Sequence, residues 1–290
     1  SRDPPRYDGL PGILVQSSAS LFRAPSVIKK YVSAGLGVAV TVFFLYLALR
    51  RVSFAQLGEA ASTLNLAWLA PMIGVVFTDL LIRAIRWRLL LSGAPGPDGK
   101  PIQAPVLKLF QLEAIGLGLN NILLFRLGEF LRAYLAGKEL EISGMHALAT
   151  IFVERALDMM ALMTLFVIAS AAVPETVPAY LRAVAALAVV GLGLGLVAVS
   201  FLDRSLERGG ALWVGRLPEK LRSLVRKAAL GSRALRSGPV LAGAVGLSLS
   251  LWLVDGGVYW MAGKALGLSP GIGYGRSLVV LSTAAAASAL

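Results

Sequence analysis

Cysteine is absent from the 290-residue chain, and histidine occurs once, as His146. Without thiols there are no disulfides, no thiolate metal sites and no cysteine nucleophile. With a single imidazole, a zinc site or catalytic triad drawing on several histidines is excluded. His146 itself reads as a polar residue near a helix start. Charge is scarce as well: 15% of residues are charged, against about 25% in an average soluble domain. Acids are the rarer sign, with 16 Asp and Glu to 28 Lys and Arg, which leaves a net charge of +12. In a soluble protein that balance points to nucleic acid. Here no basic stretch is interleaved with stacking aromatics, so nucleic acid is not expected as a partner. No Gly-x-x-x-x-Gly-Lys-Ser/Thr loop is present to cradle a nucleotide phosphate.

Apolar sequence is what the chain has in quantity. Hydrophobic residues make up 57%, and the mean hydropathy is +0.74. That composition belongs to proteins that cross a bilayer several times. Apolar runs cover residues 32–49, 66–82, 151–172, 180–201, 239–261 and 271–290. Each is close to the length needed to cross a hydrocarbon core of about 30 Å. A further run, 106–125, is interrupted by Lys108, Glu113, Gly116, Gly118, Asn120 and Asn121. The expected fold is all-α: a polytopic integral membrane helical bundle of about six spans plus a re-entrant helical hairpin. Residues 1–28 are polar and Pro-rich and read as a flexible tail. Residues 29–290 read as one helical membrane domain. Within it, 52–64 is amphipathic and suited to the interface, and 203–238 is a basic loop. Gly191 and Gly195 form a GxxxG spacing that permits close helix contact.

Loop charge sets the topology. The 203–237 segment carries Arg204, Arg208, Arg216, Lys220, Arg222, Arg226, Lys227, Arg233 and Arg236, so it belongs in the cytoplasm. The Arg83–Lys108 stretch reads as a second basic cytoplasmic loop. Tracing back from the first loop places 128–144 inside too, and the N-terminus with it. Both flanks of 106–125 are then cytoplasmic. A segment with both ends on one side dips in and returns, with its return leg within 120–135. The setting expected is a bacterial inner membrane.

Charges inside apolar sequence mark the candidate site. Arg126, Glu129 and Arg132 step by three and share a broad helix face. Glu154 and Asp158 lie four apart, one above the other, with Arg155 beside them. Each such charge left bare at the bilayer centre costs about 2.5–3.5 kcal/mol on the insertion scale. They are therefore expected to pair, to line a wet cavity, or both. Asp79, Arg83 and Arg86 fall at i, i+4 and i+7 on one face. They read either as a salt-bridged helix end or as a basic lip on a headgroup site. Glu113 and Asp255 are isolated acids in apolar runs, possible members of the same cavity.

These residues carry a family resemblance. Asn120-Asn121, Arg126, Gly128-Glu129 and Arg132, followed by Glu154-Arg155 and Asp158, resemble the flippase-like membrane domain of lysylphosphatidylglycerol synthases and of relatives associated with polyprenyl-linked sugars. The family pattern is paired Asn, then Leu-Pro-x-Arg-x-Gly-Glu-x-x-Arg, and later Glu-Arg-x-x-Asp. Ile85-Arg86-Trp87 resembles the family's Arg-Trp helix end. Leu124 stands where the family has proline, which leaves the shape of the break open. A Gly-rich family segment belongs beyond Leu290, so the domain is expected to continue there.

The resemblance implies a lipid translocase. Its cargo is a lipid with an anionic or zwitterionic headgroup, either an aminoacyl-phospholipid or a polyprenyl-phosphate-linked sugar. The arginines offer forked donors matched to phosphate oxygens, and the acids neutralise them when the site is empty. Membrane lipids are the expected partners, with a lipid-modifying enzyme or a second copy as possible others. No cofactor or metal is implied. Two alternatives stay open: a membrane scaffold for a lipid-modifying enzyme, and an intramembrane enzyme using Glu154 and Asp158 as acid and base. The adjacent arginines count against the second, because they hold those carboxylates ionised.

Overall fold

The computed structural model describes Tyr46, Ser53, Ala55, Gly58 and Glu59, then residues 62–289 apart from 94–95, 97–98, 123–126, 174–176, 208–217, 220–232 and 269–272. The expected tail, the 32–49 span and most of the basic 203–238 loop lie outside these residues. Ser1–Ser62 and Thr63–Leu290 are separate compact units. In the first, Tyr46, Ala55, Gly58, Glu59 and Ser62 are helical.

Every regular element among the second unit's described residues is a helix, and none is a strand. Its helices are α1 (Leu69–Ser92), α2 (Val106–Ile122), α3 (Leu127–Glu139), α4 (Gly144–Ala172), α5 (Ala179–Glu207), α6 (Gly238–Ala265) and α7 (Tyr274–Ala289). A 3-10 turn, Leu66–Trp68, leads into α1, and Asn65 caps it by accepting from the Ala67 N–H at 3.0 Å. Among the described residues three segments are long and apolar enough to cross a membrane: Leu66–Ser92, Ala179–Ala198 and Gly238–Ala265. Along α5, the apolar side chains of Leu187, Val190 and Leu194 are exposed, as suits a helix bathed in lipid.

α4 sits at the centre, packed against α1, α3, α5, α6 and α7. α1 and α6 run antiparallel. The Asn65 N–H donates to the Ala265 carbonyl at 2.9 Å at one end, and Gly93 lies against Ala234 and Val240 at the other. Between bilayer helices the driving force is close packing rather than water exclusion, and small residues permit it. Gly243, set against Leu89, is one such place.

α2 and α3 form an antiparallel hairpin. At its base the exposed Lys108 Nζ donates to Glu139 Oε2 at 2.8 Å, which holds the Glu139 carboxyl below its ordinary range. Near its tip the legs nearly touch. A side chain at Gly128 would run into the Gly116 carbonyl and the Asn120 Oδ1. Neither leg is long. At 1.5 Å per residue, α2 spans about 25 Å and α3 about 20 Å.

Two expectations change. The apolar span was expected to end at Ile82, and Arg83–Lys108 was counted as cytoplasmic loop charge, although Asp79, Arg83 and Arg86 were placed on one helix face; the helix runs to Ser92 and carries Arg83, Arg86 and Arg88 within it. Their charge is therefore not loop charge. The boundary was misread because arginine breaks an apolar run without breaking a helix: its helix propensity is high. The GxxxG spacing also has no partner among the described residues, since side chains added at Gly191 or Gly195 would meet nothing there within 4 Å. Gly193, between them, is the residue that faces α4, with Met160 3.7 Å from its position.

The hairpin contact yields a paired test. Gly128→Ala should lower stability by about 1–3 kcal/mol, because the legs must part to admit the methyl. Gly118→Ala, with nothing within 4 Å of its side, should instead gain up to about 1 kcal/mol from helix propensity. Thermal unfolding of the purified variants in detergent distinguishes the two signs.

Candidate functional site

Five helices aim charged side chains at one place. On α1, Asp79 and Arg83 are one turn apart, and Arg83 Nε donates to Asp79 Oδ2 at 2.8 Å. A turn later, Arg86 reaches α4. Its guanidinium donates to both oxygens of Asp158, 3.3 Å at Oδ2, and its Nε lies 3.7 Å from Glu154 Oε1. Arg86 Nη1 also donates to Ser248 Oγ on α6 at 2.8 Å. The stacking of Glu154 over Asp158 lets one planar guanidinium address both carboxylates.

The hairpin enters from the other side. Arg132 on α3 donates to Glu113 Oε2 on α2 at 2.7 Å and to Glu154 Oε2 on α4. Its guanidinium carbon lies 4.0 Å from the centre of the Trp87 ring, a cation–π placement. Trp87 is fixed in turn, donating from Nε1 to Thr150 Oγ1 at 3.0 Å. Arg155 pairs with Glu129 on α3 at 2.9 Å and lies 3.7 Å from Asp158. Asp255 on α6 joins at the edge, 3.9 Å from Arg83 Nη2.

The result is an alternating chain of charge, running Glu113, Arg132, Glu154, Arg86, Asp158, Arg83 and then Asp79 or Asp255. Arg155 links Asp158 to Glu129 as a side branch. Its middle is sealed: Arg86 and Glu154 are each 1% exposed. Its margins are open: the side chains of Arg155 and Asp255 are 33% and 26% exposed. Arg83, Glu113, Gly116, Leu117, Asn120, Glu129, Arg132 and Arg155 line a cleft with about 10 Å³ of space for water centres, enough for a single molecule. This arrangement is closed.

The structure brings together Asp79, Arg83, Arg86, Glu113, Glu129, Arg132, Glu154, Arg155, Asp158 and Asp255, with Asn120 lining the cleft. Asn121 does not join them; it is exposed at the end of α2. Arg126 lies outside the described residues. Among those described, no group of acids and histidine has the arrangement of a metal site. Ser248 and Thr150 were not singled out from sequence, whereas Trp87 was, beside Arg86. A serine in an apolar helix gives no signal by itself; the Arg86-Trp87 pair did, since both residues turn inward. His146 is the third residue of α4 and is buried.

Residues 35–290 match the family model described as lysylphosphatidylglycerol synthase TM region. That is most of the chain, and the chain belongs to this family. It is an integral membrane protein. No curated protein and no solved structure matches it. Removing a cation from the sealed centre leaves buried carboxylates uncompensated. Arg86→Ala should therefore cost about 3–5 kcal/mol of stability. Arg88→Ala, on the exposed side of the same helix, should stay within about 0.5 kcal/mol. Unfolding of both variants in detergent gives the comparison.

Proposed function

Taking this membership as the premise, we propose that the chain is a lipid translocase. It moves a lipid with an anionic or zwitterionic headgroup across the bilayer while the acyl tails stay in lipid. Aminoacyl-phospholipids and polyprenyl-phosphate-linked sugars are the two cargo classes. The observation carrying this reading is the convergence of α1, α2, α3, α4 and α6 on one charged network with a cleft at its edge.

The chemistry follows from the side chains. Arg155 and Arg132 border the cleft and present forked donors that suit a phosphate. Glu129, Glu113 and Glu154 hold those arginines in place until a headgroup arrives, so no bare cation faces hydrocarbon. A single-water cleft cannot hold a headgroup, so entry requires α2–α3 to move relative to α4. The legs of that hairpin are shorter than the roughly 30 Å hydrocarbon core, which favours a re-entrant element anchored on the cytoplasmic side. We read the setting as a bacterial inner membrane with the N-terminus in the cytoplasm. We read the chain as a carrier rather than a catalyst. Glu154 and Asp158 each have at least two guanidinium neighbours, a poor arrangement for an acid that must exchange protons during a reaction.

Two measurements test this. In vesicles holding the purified chain, Arg155→Ala should slow translocation of a fluorescent phosphatidylglycerol by about 10–100-fold, the loss of one or two charge-assisted hydrogen bonds. Unfolding should be little changed, because Arg155 is the most exposed cation of the network. Unaltered translocation would refute the site. Because the chain has no native cysteine, single-cysteine labelling is clean. Lys100→Cys and Glu141→Cys should react from the cytoplasmic side, and Asn121→Cys should not react from the opposite side unless the hairpin crosses.

A further inference from the structure

The network has more acid than base. Among the described residues it joins the carboxylates of Asp79, Glu113, Glu129, Glu154, Asp158 and Asp255. Against them stand the guanidinium groups of Arg83, Arg86, Arg132 and Arg155. Even with Arg126 added from outside the described set, one carboxylate would remain unmatched. In a sealed, water-poor setting an unmatched charge is expensive, and a buried carboxylate avoids the cost by taking a proton.

The geometry shows where. Glu154 and Asp158 sit inside the alternating chain, with guanidinium groups on both sides. Glu113 ends the chain on one side, and Asp79 and Asp255 end it on the other; among the described residues Glu113 and Asp255 each have one ion-pair partner, and Asp79 holds Arg83 at 2.8 Å against 3.9 Å for Asp255. Glu113 is 4% exposed, lines the cleft, and has one oxygen, Oε1, with no hydrogen-bond partner. The charged groups facing it are Arg132 from α3, Glu154 from α4, and Arg83 and Arg86 from α1. Asp255 faces Arg83 and Asp79 from α1, Asp158 from α4 and Tyr274 from α7. Among the described residues its ion pair is the 3.9 Å approach to Arg83, which Asp79 holds more closely.

We propose that Glu113 and Asp255 are proton-carrying sites, and that the network takes up a proton when an anionic headgroup binds. The proposal rests on the translocase reading of this cleft. A phosphate entering the cleft draws Arg132 and Arg155 towards itself and away from their carboxylates. With Asp255 carrying the resting proton, Glu113 loses its ion-pair partner among the described residues and accepts a proton from solution; the O–H bond formed balances the charge the lipid brings in. Release of the lipid returns Arg132 to Glu113 and frees the proton. Lipid movement and proton movement are thereby linked, and a proton gradient can set the direction of transport.

Linkage fixes the sign. Binding that takes up one proton tightens as pH falls, by up to tenfold per pH unit. The test uses the purified full chain and fluorescent short-chain phosphatidylglycerol, from about pH 5.5 to about pH 8.5. Affinity should rise towards acid with a slope approaching tenfold per unit. A pH dye in weak buffer should report uptake of about one proton per lipid bound. Glu113→Gln should flatten most of the slope, and Asp255→Asn, at the more exposed end, should shift the pH range over which it appears. Saturable binding with no slope and no proton uptake overturns the inference and leaves the translocase reading standing. Absence of binding at every pH defeats that reading instead. A pH-independent preference for an aminoacylated lipid assigns the surplus negative charge to the lipid's ammonium group and also overturns the proposal. So does a requirement for sodium at fixed pH.

Discussion

Arg86 meeting Asp158 and Glu154 is the interaction on which the rest of the unit depends. Three charges sit where little water reaches, and each is tolerable only because the others are there. That requirement sets the relation of α1 to α4, and Ser248 brings α6 to the same guanidinium. Arg132 then ties the hairpin to α4 through the second oxygen of Glu154. Lipid supplies no hydrophobic force to hold helices together. A shared set of buried ion pairs with small-residue contacts takes over that role and specifies which faces meet.

The same arrangement explains why the site can be both stable and responsive. A buried ion pair is a weak net stabiliser, since desolvation offsets most of the attraction. A ligand that offers equivalent charges can therefore exchange with an existing partner at little cost. Near the cleft, Arg155 and Arg132 are the cations placed for such an exchange. Arg86, 1% exposed and bound on three sides, is placed to stay.

Much of this was legible in the sequence. Charges in apolar runs are costly enough that Glu154, Asp158, Arg132 and Glu129 stood out at once, and their spacing showed which shared a face. A reversal of the chain was expected from the polar interruptions around Asn120, and α2 and α3 are antiparallel; the loop-charge argument for it had counted Arg83, Arg86 and Arg88, which lie within α1. What sequence could not show was partnership. Glu113 and Asp255 looked alike as solitary acids, yet one is sealed against Arg132 and the other sits at an open margin. Ser248 gave no sign, because only the approach of α6 makes its hydroxyl an acceptor. Arg83 and Arg86 were read as sharing a helix face with Asp79, but read in one dimension they fit a salt-bridged helix end as well as the lip of a site. Three-dimensional pairing turns the same residues into the helix interior.

The narrowness of the cleft has its own consequence. A continuous water-filled route through a bilayer would let ions leak and drain the gradients a cell maintains. On the translocase reading proposed above, a gap that admits one water molecule would act as a plug between cycles. A carrier built this way works in discrete turnovers, closed by default and open only while something occupies it, unlike a pore.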